Sequence, residues 1–130
     1  MGADGFCGMI RPMQHPPIVY GIPNCDSVKK ARSWMDTHGI AYTFHDFKKQ
    51  GVPAEALDQW LAAVGWETLV NRKGTTWRKL DPAEQSRVTD TRSARALMLA
   101  QASVIKRPVV VVGEQVMVGV NPEAWARVLS

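Results

Sequence analysis

Cysteine is scarce here: two in 130 residues, Cys7 and Cys25. That excludes the disulfide-dense scaffolds by which small secreted domains make up for a thin core. No stretch approaches the ~18 uninterrupted apolar residues of a membrane span. The first residues also lack the apolar run of about 7–15 residues that a secretory signal requires. A cytoplasmic protein is therefore expected, with residues 1–16 as an irregular tail and Cys7 an incidental thiol within it. No long basic run, internal repeat or low-complexity segment occurs. The 16 basic and 12 acidic residues leave +4, and the pI is near 9.3. This mild excess permits an anionic substrate without being the footprint of a nucleic-acid binder. The three histidines, His15, His38 and His45, share no ligand spacing, so no metal is expected.

What is present is one globular domain's worth of chain. Hydrophobic residues make up 45% and charged residues 22%, which are ordinary values for a packed core. Residues 18–22, rich in β-branched and aromatic side chains and ended by Pro23-Asn24, predict a buried strand. Residues 26–38 have helical spacing, with Val28, Ala31 and Met35 on one face and Gly39 as the stop. Residues 41–47 alternate as a second strand. Pro53 opens a helix in which Leu57, Trp60, Leu61 and Val64 form the apolar stripe and Gly65 the end. Residues 66–80 predict a polar, basic loop with a helical turn at its start. Helices are expected again from Asp81-Pro82 and from Asp90 or Thr91 to Ala102. Residues 107–112 predict a buried strand, Gly113-Glu114 a two-residue hairpin and residues 115–120 the return strand. Asn121 and Pro122 are the cap and first residue of a last helix.

The order β-α-β, helices, hairpin, helix implies a parallel first pair and an antiparallel hairpin. This is the thioredoxin arrangement: an α/β domain over residues 17–130 with a mixed four-stranded sheet and a helical insertion over about 53–102. Cys25 falls between the first strand and the first helix. Unpaired N–H groups and the positive end of the helix dipole favour a thiolate there, and Lys29, Lys30 and Arg32 lie nearby. Position alone leaves two readings open, a nucleophilic thiolate or a buried structural cysteine. Val28 occupies the place of the second thiol in a C-x-x-C pair, so an internal disulfide of that kind is excluded, and a reductive cycle must use an outside thiol unless the tail brings Cys7 back.

Residues 20–31, YGIPNCDSVKKA, resemble the opening of the arsenate reductase/Spx family, in particular its small YffB-type branch. Residues 71–80, NRKGTTWRKL, match that branch's basic segment, and Arg107-Pro108-Val109-Val110 matches its strand entry. The resemblance runs over residues 17–130 in order and spacing. It implies that Cys25 is the nucleophile and that Arg72 and Arg107 hold an anionic group, for which a guanidinium fork is suited. Asn24 becomes either a ligand contact or a helix cap, and Trp77 is expected to line the thiol site. Lys73 and Pro108 are expected to contact glutathione, and the Arg107-Pro108 bond to be cis. Glutathione enters as co-substrate rather than bound cofactor, with glutaredoxin as a further partner. Neither nucleic acid nor membrane is implied, and a monomer is expected. The family's third arginine lies beyond the hairpin, where residues 117–122 carry no basic side chain. This shifts the expected substrate from arsenate towards glutathione and other thiols. The alternative is a non-catalytic regulator like Spx, which binds RNA polymerase and senses redox state through a C-x-x-C pair that Val28 removes here.

Overall fold

A computed structural model describes residues 16–129. The expectations for the tail, including Cys7, lie outside the described residues. Four strands, β1 (Ile18–Gly21), β2 (Thr43–Asp46), β3 (Val109–Val112) and β4 (Gln115–Val118), form one sheet in the order β2-β1-β3-β4. β1 pairs parallel with β2, Ile18 opposite Thr43. It pairs antiparallel with β3, Tyr20 opposite Val109, and β3 runs antiparallel to β4 through a hairpin. Gly113 supplies the positive φ, 58°, that the tight hairpin needs. This is the mixed thioredoxin-like α/β sheet.

The period-2 alternation of the strands builds a core on each face. Val19 and Val110 point to one face. There they join Ala31 and Met35 of α1 (Asp26–Thr37) and Ala124 and Trp125 of α8 (Pro122–Leu129). Tyr20 and Val109 point to the other face, towards the helices inserted between β2 and β3. These are α2 (Phe47–Gln50), α3 (Ala54–Val64), α4 (Trp66–Leu69), α5 (Thr75–Lys79), α6 (Pro82–Ser86) and α7 (Thr91–Ala100). Leu57, Trp60 and Leu61 of α3, Leu69, and Ala94 and Met98 of α7 fill that second core. Trp60 meets Tyr20 edge-on at 4.7 Å between centroids.

Val28, Ala31 and Met35 are all fully buried on α1. Each large apolar side chain so buried contributes about 1.5–3 kcal/mol. Asn121 Oδ1 accepts from Ala124 N at 3.2 Å, so the last helix is capped as its sequence predicts. Asp90 and Ser93 close a capping box at the start of α7.

Four local expectations are corrected. β2 ends at Asp46, because its carboxylate accepts from Lys48 N at 2.8 Å and turns Phe47 into the start of α2. The basic segment is not all loop after its first turn, since α5 forms over Thr75–Lys79. α7 ends at Ala100, and Ala102–Val104 is a separate 3-10 turn. The return strand stops at Val118, where Gly119 takes φ 84°. Among the described residues no helix is long and apolar enough to cross a membrane.

Candidate active site

Cys25 stands where β1 hands over to α1. The turn Ile22-Pro23-Asn24-Cys25 is closed by Cys25 N donating to Ile22 O at 3.1 Å. Cys25 then occupies the N-cap position in extended backbone, φ −86° and ψ 127°. Asn24 is therefore not the cap: it lies exposed in the turn, one residue too early. The thiol makes no full-strength capping bond of its own. Its environment nevertheless acts on its charge. Burial pushes the pKa up, but the N–H groups of Val28 and Ser27 and the nearby Arg107 guanidinium pull it down further, and the net shift is downward. The thiolate is favoured by first-turn amides and one arginine.

The cation responsible lies far along the chain, not on α1. Arg32 Nε donates to Tyr42 Oη at 3.0 Å and its guanidinium lies 4.3 Å over the Phe44 ring. Lys29 and Lys30 line a groove on the exposed side of α1 with Trp34 and His38. Arg107 instead reaches the sulfur from the segment entering β3. Its Nη1 donates to Ser103 O at 3.3 Å, while its Nε is buried without an acceptor. A buried guanidinium N–H left unpaired is costly, and an anion at the sulfur would satisfy it. The Arg107-Pro108 peptide bond is cis. Pro108 O already accepts Gly119 N at 2.9 Å. The backbone groups left unpaired there, among the described residues, belong to Arg107.

An antiparallel bridge between Val70 and Ile105 ties the basic segment to this strand entry. Asn71 N donates to Val104 O at 2.8 Å, and Lys106 N to Leu69 O at 2.7 Å. Arg72 follows the end of that ladder. Its guanidinium lies 5.2 Å from the Trp66 ring centroid and 5.9 Å from that of Trp77. Trp66, Trp77 and Cys25 all pack against the same core, which places Trp77 on the thiol's side of the sheet. Arg72 makes no bond to Cys25 or Arg107. Lys73 is exposed, and its N–H is held by Asn71 Oδ1 at 3.2 Å. The structure thus unites Cys25 with Arg107 and leaves Asn24, Arg72 and Lys73 exposed, Arg72 lying near the Trp66 and Trp77 rings.

Three contributors escaped the sequence. Ser103 steadies Arg107 through its carbonyl, which no side-chain pattern announces. Asn71 pins the basic turn, and its N-x-x-G spelling was the available signal. Lys106 lays its stem across Gly119: a Cβ built there would lie 3.2 Å from Cε and 3.8 Å from Nζ. A cation thus lies beside the segment beyond the hairpin that has none of its own.

The model of the ArsC family matches residues 20–128. The solved YFFB (PA3664) protein is 49% identical, with a TM-score of 0.84 over 88% of this chain and 99% of that one. An uncharacterized protein of Haemophilus influenzae is 36% identical over 82% of this chain and 93% of its own length. The global transcriptional regulator Spx of Streptococcus agalactiae is 28% identical over 78% of this chain and 74% of its own. With a family match spanning nearly the whole described domain and a helix-start cysteine facing an arginine, the chain belongs to the ArsC family.

Proposed function

We propose that the protein is a monothiol, glutathione-dependent reductase acting on a mixed disulfide or a small oxyanion. The observation that carries this is the pairing of a thiol of lowered pKa with Arg107, whose buried Nε lacks an acceptor. The Cys25 thiolate attacks the glutathionyl sulfur of a mixed disulfide. A Cys25–glutathione disulfide forms, the old S–S bond breaks, and the substrate thiolate is released to take up a proton. A second glutathione thiolate, or glutaredoxin, then attacks the glutathionyl sulfur. Cys25 returns as thiolate, and a disulfide carries away the two oxidising equivalents. Arg107 holds negative charge at the sulfur, and Arg72 and Lys73 offer further positive charge to an anionic thiol. Without a third arginine the site lacks part of the guanidinium fork that suits a tetrahedral oxyanion. The mixed disulfide is therefore the preferred substrate.

A second reading is supported by the Spx relatives: a regulator that binds a protein partner such as RNA polymerase without turnover. One experiment separates the two. In a Cys7→Ser background, the mixed disulfide of glutathione and 2-mercaptoethanol is supplied with glutathione and reduction is followed. The reductase gives turnover and a single reducible glutathione adduct at Cys25 by intact mass, both abolished in Cys25→Ala. No adduct and no turnover, with partner binding unaffected by Cys25→Ala, would establish the regulator.

A further inference from the structure

Beside the Val70–Ile105 bridge lies a concavity of about 480 Å³ whose lining includes Thr68, Asn71, Arg72, Lys73 and Lys106. Its chemistry is one-sided. Three cations face it, and Glu67 is the one carboxylate in the lining. The ion pair found among the described residues is Arg95–Asp58, elsewhere on the surface, so none of these cations is in direct contact with a carboxylate. The Asn71 amide is oriented by its own bonds: Oδ1 takes the N–H of Lys73, which leaves Nδ2 as a spare donor packed against Gly74. The exposed Arg72 guanidinium lies near two tryptophan rings. Lys106 is steered by its backbone bond to Leu69 O and by the bare Cα of Gly119, across which its stem runs. Three like charges are gathered here against a single carboxylate, an excess that a bound anion relieves.

We infer that this concavity is a second anion subsite, in which Lys106 is a specificity-determining cation that takes a carboxylate of the thiol co-substrate reacting at Cys25. The identity of the thiol rests on the reductase reading; the anion subsite does not. Chain adjacency links the two places. Lys106 and Arg107 are consecutive, with Cα atoms about 3.8 Å apart. One lines the concavity and the other stands beside the sulfur. The inference requires a ligand such as an extended tripeptide, about 10 Å long, with a thiol in its middle and carboxylates at its ends, to reach from one to the other. Free phosphate offers the same oxyanion chemistry without the sulfur.

The test uses the full chain at low ionic strength, where exposed charges are least screened. Steady-state kinetics compare glutathione with its diethyl ester, in which both carboxylates are masked. Lys106→Met keeps the apolar stem and removes the charge. It is expected to raise KM for glutathione about 3- to 10-fold, leave kcat unchanged and leave KM for the diester unchanged, with Lys106→Arg restoring the wild-type value. An equal effect on both thiols, or none on either, overturns the subsite while the reductase stands. Absence of turnover with either thiol sinks the reductase reading instead, and inorganic phosphate then decides the subsite. Saturable amide shifts at Lys73 and Lys106 that vanish in Lys106→Met uphold it; their absence in the wild type overturns it.

Discussion

Gly21, the last residue of β1, faces Val28 in the first turns of α1. A Cβ added at Gly21 would lie 2.5 Å from Val28 Cγ2 and 3.5 Å from Cγ1. Carbon atoms pack best at about 3.5–4.0 Å, so Gly21→Ala creates an overlap of about 1 Å or more. Val28 is fully buried, and a helical valine keeps one rotamer about 90% of the time, so the overlap cannot be relieved by a free swing. Overpacking of this kind costs about 1–3 kcal/mol, whereas replacing a strand glycine by alanine otherwise gains about 0.5–1 kcal/mol. At the middle of both ranges the clash wins, and a net loss of about 1 kcal/mol follows. Val28→Ala alone, which empties the site, costs about 2 kcal/mol. The pair together should be no less stable than Val28→Ala, because the new methyl enters vacated space. Urea unfolding of the two single variants and the double completes the cycle. The same four proteins report on the site, since the Val28 N–H helps to hold the Cys25 charge. Iodoacetamide alkylation against pH, with Cys7→Ser as background, should show a higher thiol midpoint in Gly21→Ala. In Val28→Ala, which keeps that N–H, it should show no change. Strictly additive stabilities, or equal thiol midpoints in all four, would refute the close approach of β1 and α1 as the device that sets the sulfur over the helix start.

Alkylation of wild-type Cys25 should titrate below an ordinary thiol, and Arg107→Met should move its midpoint upward by removing the neighbouring charge. The linked effect on stability has a definite sign. Between the folded midpoint and the higher unfolded one, the unfolded chain binds the extra proton, so stability rises with pH across that window. It is fully gained above the unfolded value and lost as pH falls through the folded one; Arg107→Met should flatten that slope in urea melts taken at a series of pH values. Trp60→Ala, in the core between α3 and Tyr20, should lose about 3–5 kcal/mol by urea unfolding. A loss under 1 kcal/mol would mean that the inserted helices do not share the sheet's core.

The elements that a periodic pattern can announce were legible in the sequence. Val28, Ala31 and Met35 fall on one helical face and are all buried, and Val19 and Tyr20 part to opposite faces of β1. Short elements were not, because four or five residues span barely more than one period: α2 and α5 are made by local bonds and by packing rather than by an apolar stripe. Asp46 resembles one more alternating strand residue until its carboxylate is seen capping Lys48 N. At the site, the position of Cys25 was readable, and its surroundings only in part. The nearby lysines of α1 were the local candidates for its charge partner. The actual cation, Arg107, comes from a segment brought in by sheet pairing, a non-local contact that spacing cannot specify; only likeness to a known family pointed to it. The N-cap fell one residue beyond Asn24, because the Ile22–Cys25 turn consumes Pro23 and Asn24.

The first-turn amides and Arg107 also govern what happens once Cys25 is joined to another sulfur. A thiol that gives up its proton readily is equally ready to depart from a disulfide, because both processes place the same negative charge on the same atom. Nucleophilic strength falls only modestly with pKa, so departure gains more than attack loses. Stabilising the reduced, charged form also makes the couple more oxidising than that of an unperturbed cysteine. A sulfur adduct at Cys25 is accordingly a transfer species, poised to pass its group onward rather than to store it. With a valine at position 28, α1 offers no second thiol to collect that group, and how soon another thiol reaches the adduct sets how long it lives.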